Sequence, residues 1–171
     1  KISELLHYMS TNNIHIAAIQ ETKLTDKSKF SVTQDYKLLR KDRGRDKGGG
    51  LAFLVHQSVN FDQLPTPDTL KDDPHLEELA ISIPGENNNL HIRNTYIPPV
   101  SSCGQDYQPP INNIFDNLSD TAILVGDINA HHQNWLSTGS DDARGKIFSD
   151  KIQNSNFGIL NEDTPTRSAG N

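Results

Sequence analysis

Thr121-Ala122-Ile123-Leu124-Val125-Gly126-Asp127-Ile128-Asn129 is the stretch on which the fold turns. A short β-rich run ending in Gly-Asp reads as a buried strand over 121–125 that delivers a carboxylate, then a carboxamide, to its carboxyl end. Phosphodiester chemistry uses that pairing. Asp127 is placed to position an attacking water or to help protonate a leaving oxygen, and Asn129 to hold a phosphate oxygen. The plainer alternative is an Asx turn after a strand, which draws on the same residue types.

Working outward, apolar spacing assigns the neighbouring elements. Ile2, Leu5, Leu6 and Met9 recur at helical intervals, so a helix is expected near 2–11. Residues 14–19 read as a buried strand ending at Gln20-Glu21, 36–39 as a strand, and 51–55 as another, entered from Gly48-Gly49-Gly50. Leu79, Ile81 and Ile83 alternate before Pro84-Gly85, as in a half-buried strand, and 90–96 alternates again before Pro98-Pro99. A helix follows Pro109-Pro110 through Ile111, Ile114, Phe115 and Leu118. Beyond the 121–125 strand come a helix over 144–154, with Ile147, Phe148 and Ile152 inward, and a last short strand at 157–160. Strands outnumber helices and helices fall at both ends of a strand-rich middle, so a mixed α/β sandwich fits better than a doubly wound parallel sheet.

Bulk properties narrow the function classes. At 171 residues the chain suits one domain. Apolar content is 33% and mean hydropathy -0.63, and no apolar run reaches the length of a membrane span. Cys103 is the sole cysteine, which excludes an internal disulfide and favours a reducing, intracellular setting. The net charge of -6 is not that of a nonspecific DNA-coating protein, but a nuclease that uses a divalent cation tolerates it. Lys37, Arg40, Lys41, Arg43, Arg45 and Lys47 form the one basic stretch, readable as a solvated loop or as a phosphate-backbone contact. The opening at Lys1, inside a helical pattern and without Met, suggests a piece of a longer polypeptide.

Three further positions carry chemistry. Glu21 stands at the end of the first predicted strand, either as a polar residue meeting solvent or as a hard oxygen ligand for Mg²⁺, which takes one or two carboxylates with waters and substrate phosphate. Gln20 beside it is either an outer partner of that ligand or a surface amide. Tyr96 ends strand 90–96, where its phenol packs on the sheet or bonds a phosphate oxygen; Asn94, one pleat period earlier, shares its face. Trp135 is core packing or a platform for a nucleobase or ribose. His131 and His132 are adjacent rather than four apart, and no second cysteine completes a zinc site. Gly48 to Gly50 lacks the Lys-Ser/Thr ending of a P-loop.

Taken together, Ala18-Ile19-Gln20-Glu21-Thr22-Lys23-Leu24, Gly48-Gly49-Gly50-Leu51-Ala52, Thr95-Tyr96-Ile97-Pro98-Pro99, Val125-Gly126-Asp127-Ile128-Asn129-Ala130-His131-His132 with Trp135, and residues 161–167 resemble the endonuclease/exonuclease/phosphatase superfamily. The version they resemble is the apurinic-endonuclease-like domain of jockey-type non-LTR retrotransposons. The resemblance implies a four-layered α/β sandwich, two packed mixed sheets flanked by helices and truncated at both ends. It further implies a Mg²⁺-dependent endonuclease, with Mn²⁺ as substitute, that nicks target DNA in the nucleus to prime a reverse transcriptase in the same polyprotein. By the same resemblance Glu21 matches a metal ligand, Tyr96 a phosphate-contacting tyrosine, and Asp127 and Asn129 the pair acting on water or leaving group and on phosphate. Thr166 falls in a Thr-Pro-Thr segment near the substrate rim. The family's Ser-Asp-His string does not occur within 1–171, which implies a single, catalytically incomplete domain. A non-catalytic DNA-binding remnant and a phosphatase of the same superfamily are the alternatives.

Overall fold

A computed structural model describes residues 2–29, 32–43, 48–135 and 140–161. Helix α1 (Ile2–Thr11) precedes β1 (Ile16–Gln20), β2 (Tyr36–Lys41), β3 (Leu51–His56), β4 (Asp62–Leu64) and the single turn α2 (Asp68–Lys71). Then come β5 (Glu77–Ile83), β6 (Leu90–Tyr96), the single turn α3 (Val100–Cys103), α4 (Ile111–Asp116), β7 (Ala122–Asp127), a 3₁₀ turn at Gln133–Trp135 and α5 (Ala143–Gln153).

Two sheets form. The first has the order β1-β3-β2 and is antiparallel throughout, so it is not mixed as expected. The second, β4-β5-β6-β7, is antiparallel except for the parallel β6–β7 pair, whose crossover runs through α3 and α4. Alternation along the strands builds the layers. Leu51, Phe53 and Val55 of β3 face Leu79, Ile81, Ile92 and Tyr96 between the sheets. The opposite face of the first sheet, through Leu54, Ala17, Ile19 and Leu38, packs under Leu6 and Met9 of α1. On the far side of the second sheet, Leu124 meets Leu70 of α2 and Ile114 of α4, while Ile111, Phe115 and Phe148 join α4 to α5. The result is four layers: helix, sheet, sheet, helices.

Several expectations need correction. β5 is buried on both faces rather than half-buried, because Glu78, Ala80 and Ser82 are covered as well. Glu78 is held there by Arg93 at 2.5 Å; burial raises its pKa, and the neighbouring guanidinium opposes that rise. β7 is half-buried, being an edge strand, and its last two residues are exposed. Ile147 is exposed on α5, whose inner face is Arg144, Gly145, Phe148 and Ser149. Residues 157–160 form no strand; Phe157 packs on Phe115, but Leu160 is exposed. β4 carries only one apolar residue and α2 is one turn long, so neither leaves a periodic signal. No described helix is long and apolar enough to cross a membrane.

Candidate active site

Register brings the chemistry to one end of the sandwich. Tyr96 pairs with Glu77 on one side and Asp127 on the other, so the three lie in one row across the second sheet. In the first sheet Gln20 pairs with Leu51, and Leu51 with Lys41. The carboxyl ends of β1, β6 and β7 therefore open at the same edge.

Glu21 follows β1 directly and sits in the left-handed region at φ 51°. Its Oε1 accepts the Tyr96 hydroxyl at 2.7 Å, and Lys23 Nζ lies 3.7 Å from Oε2. The Tyr96 ring is buried in the intersheet core, and only its hydroxyl reaches the edge. Burial first, then the hydrogen bond to Glu21 and the charges of Glu21 and Asp127, push the phenol far above its ordinary pKa. It stays a proton donor and orients the carboxylate.

The turn that follows β1 is anchored from behind. Thr22 and Lys23 donate their backbone N–H groups to Gly50 and Gly49 at 3.1 and 2.9 Å. Gly50 in turn donates to Glu77 Oε2 at 2.6 Å, and Glu77 Oε1 pairs with Arg43 Nε at 2.7 Å. Gly49 has φ 78°, and a Cβ there would run into the Glu77 carboxylate. Glu77 thus fixes the glycine turn, and the turn fixes the segment carrying Glu21.

Asn94 is not at the substrate edge. It is wholly buried, donating Nδ2 to the carbonyls of Ile19 and Ala52, both at 3.1 Å, and accepting Gln20 Nε2 at 2.6 Å. It does share the face of Tyr96, but it ties the second sheet to β1 and β3 instead of touching a ligand. Gln20, for its part, is committed to Asn94.

At the end of β7, Gly126 has φ 146°, and any side chain would collide with the Thr95 backbone alongside. Asp127 is exposed, and its Oδ1 accepts the Asn129 N–H at 2.9 Å, closing an Asx turn. The turn and the functional placement therefore coexist. Asn129 adopts φ 46° and donates Nδ2 to Ile97 O at 2.9 Å, which leaves the second N–H of that amide. Among the described residues no cluster of three His, Cys, Asp or Glu side chains could hold a metal. Two exposed carboxylates, Glu21 and Asp127, both close enough to act on the Tyr96 hydroxyl, remain as hard oxygen donors. That donor set fits Mg²⁺, which fills most of its shell with water and substrate oxygens.

Two other sequence-derived positions lie elsewhere. Trp135 is half-buried on the α4–α5 cluster, and its indole N–H donates to Ala130 O at 3.2 Å, so its described contacts are internal. Thr166 lies outside the described residues. His132 is buried beside Trp135, and His131 Nδ1 lies 2.8 Å from Asp142 Oδ2, so both have partners other than a metal.

Glu77, Asp142 and Arg144 are the residues sequence reading missed. For Asp142 there was a signal: an acidic residue before a helical pattern is a cap, and its Oδ1 does accept Gly145 N–H at 2.6 Å. Glu77 and Arg144 contact segments far away in the chain and leave no local pattern.

A family model described as endonuclease-reverse transcriptase matches residues 90–171. Among solved structures, the endonuclease domain of TRAS1, a telomere-specific non-LTR retrotransposon, is similar over 96% of this chain and 69% of that one, with 23% identity and a TM-score of 0.67. Weaker similarity reaches humanized D. rerio TDP2 (13% identity, 82% of this chain and 60% of that one, TM-score 0.48). ANGEL2, a 2',3'-cyclic phosphatase, is comparable (15% identity, 80% and 46%, TM-score 0.45). No curated protein matches the chain.

Proposed function

We propose, from the match of residues 90–171 to the endonuclease-reverse transcriptase family model, that the strand-end cluster is the cleavage centre of a Mg²⁺-dependent DNA endonuclease. The observation that carries this reading is the convergence of Glu21, Tyr96, Asp127 and Asn129 at one edge, joined by the 2.7 Å Tyr96–Glu21 bond and the 96–127 register. Four polar groups from the ends of three strands meet there, two of them exposed carboxylates.

Glu21, oriented by the Tyr96 hydroxyl, and Asp127 are the residues that would hold the cation, Mg²⁺ or Mn²⁺. When bound, that cation supplies charge stabilisation to the phosphate oxygens and a water of lowered pKa. Asp127 takes up or returns the proton at the attacking water or the leaving 3′ oxygen. Asn129 directs its remaining amide N–H at a non-bridging phosphate oxygen, a donor that gains strength as charge develops there. Tyr96 acts through Glu21; with its hydroxyl already donated, it is a positioning residue. The nick leaves a 3′-hydroxyl for a reverse transcriptase of the same polyprotein, and the target duplex places the event in the nucleus.

Nicking of supercoiled plasmid by the protein that carries this chain tests the reading. Asp127→Ala and Asn129→Ala in folded protein should slow nicking by about 10²-fold or more, the scale of removing one charge-stabilising donor. Chelation of divalent cations should abolish it. Nicking that persists in chelator, or is unchanged in folded Asp127→Ala, would overturn the assignment.

A further inference from the structure

Arg144 enters α5 at its first turn and is 5% exposed, the one charged side chain on the helix's inner face. Its Nη1 donates to three carbonyl oxygens: Pro98 at 2.9 Å, Ile128 at 2.8 Å and Asn129 at 3.3 Å. Pro98 belongs to the segment leaving β6, and Ile128 and Asn129 to the segment leaving β7. One nitrogen therefore joins the exits of both strands that carry the site. Nε and Nη2 are buried without a hydrogen-bond partner. Among the described residues no carboxylate lies within ion-pair distance of Arg144; the acidic groups that feel its charge are the Cys103 thiol and the Tyr107 phenol.

Buried cations without counter-ions are costly, and a methionine of similar volume would fill the same space. The carbonyl contacts explain why a guanidinium is there. Asn129 occupies the left-handed region, which costs a non-glycine residue of order 1 kcal/mol and persists only where surrounding bonds dictate it. Four bonds do so: Asn129 N–H to Asp127, Asn129 Nδ2 to Ile97 O, and two from Arg144 to the carbonyls on either side of the Asn129 N–Cα unit. The rest of the α5 entrance reinforces them. Asp142 and His131 exchange backbone and side-chain hydrogen bonds, and a Cβ on Gly145 would strike the His131 carbonyl. The loop is pressed against α5 with no slack.

We propose that Arg144 is the positioning residue of the site: it clamps the β6 and β7 exits into one unit, holds Asn129 in its left-handed conformation, and sets a positive charge behind the phosphate-holding amide. This rests on the endonuclease reading for its catalytic consequence, though not for its geometry.

The decisive experiment compares Arg144→Ala and Arg144→Lys with the unaltered protein by NMR and by plasmid nicking. Expected in both variants are Asn129 Cα and Cβ shifts that leave left-handed values while the amides of 51–56 stay put. Millimolar guanidinium should restore the Asn129 shifts of Arg144→Ala alone. Nicking should fall about 10²-fold in kcat, the scale of a loop displaced by about 1 Å, with KM within about threefold, and guanidinium should recover part of it. A variant that merely loosened the core would not be rescued. If Arg144→Ala fails to fold, Arg144→Lys decides, because it keeps the charge while its shorter stem cannot bring the ammonium to the place of Nη1. Unchanged Asn129 shifts in a folded variant overturn the proposal. Absence of nicking in the unaltered protein would remove the endonuclease reading, and the Asn129 shifts would still decide the role of Arg144.

Discussion

Tyr96 divides its side chain between two environments, and the division explains its role. The ring is core, while the hydroxyl sits at the edge and donates to Glu21 Oε1 2.7 Å away. An outer partner of this kind typically tunes the metal affinity of the ligand it orients by 10–100-fold. Tyr96→Phe should keep the fold and weaken Mn²⁺ binding by roughly that range; titration calorimetry on the protein reads it directly. Unaltered affinity would show that Glu21 needs no orientation. Asn94 makes the opposite case, a residue with the appearance of a ligand contact that serves as a tie between sheets. Asn94→Ala strands two backbone carbonyls and the Gln20 amide, at about 1–3 kcal/mol for each group left buried and unpaired. A loss of about 2–4 kcal/mol in urea unfolding is expected, with solvation of the cavity moderating the sum. A loss below about 0.5 kcal/mol would mean that water replaces the amide at no cost. Glu21, Tyr96, Asp127 and Asn129 were legible because each ends a strand in a recognisable string. The burial of Asn94 was not, since its three partners lie on β1 and β3, as many as 75 residues away.

At the scale of elements, α5 acts as the buttress of the site, and its first turn is the critical part. Asp142 caps it, accepting Gly145 N–H at 2.6 Å while also holding His131. Burial alone would raise the Asp142 pKa; the hydrogen bonds from Gly145 and His131 outweigh it and hold the carboxyl below its ordinary 3.8. A carboxyl depressed on folding contributes stability that is present above 3.8 and is lost as pH falls through the lower folded value. Asp142→Ala should therefore cost about 1 kcal/mol near neutrality, the usual value of a lost cap, the half-exposed His131 pair adding little. The gap between variant and unaltered protein should close in acid, as thermal melts across roughly pH 2–7, which brackets the ordinary carboxyl pKa, would show. A gap that persists undiminished at the acid end would remove the carboxylate from the account. Elements with one apolar face or a wholly apolar run, such as α1, β3 and β6, could be read from sequence because burial dictates their period. The apolar letters of 157–160 misled because a strand needs a partner, and the β7 edge is not extended there. β4 exists only through pairing with β5, which no local pattern in Asp62-Gln63-Leu64 announces.

For the whole molecule, the endonuclease reading proposed above requires a chain of net charge -6 to meet a polyanion. The basic stretch reads as a solvated loop or as a phosphate contact, and each of its described members already has a partner within the chain. Lys37 lies over the Phe61 ring at 5.8 Å, Arg40 pairs with Asp42 at 3.3 Å, Lys41 donates to Glu78 O at 3.2 Å, and Arg43 pairs with Glu77. Arg45 and Lys47 lie outside the described residues. The described part of β2 therefore offers no extended basic track, and under the endonuclease reading a DNA contact centred on the strand-end cluster should touch few phosphates. Each phosphate neutralised by a side chain releases condensed counterions and adds about -0.9 to the slope of log K against log salt. A slope of about -3 or shallower is expected for a duplex oligonucleotide measured by fluorescence anisotropy, and Arg40→Gln should leave it unchanged. Added Mg²⁺ should strengthen binding, against its general screening effect, because the cation completes the site instead of competing with it. A slope near -6 that collapses in Arg40→Gln would make β2 the DNA-binding face and displace the strand ends from the centre of the interaction.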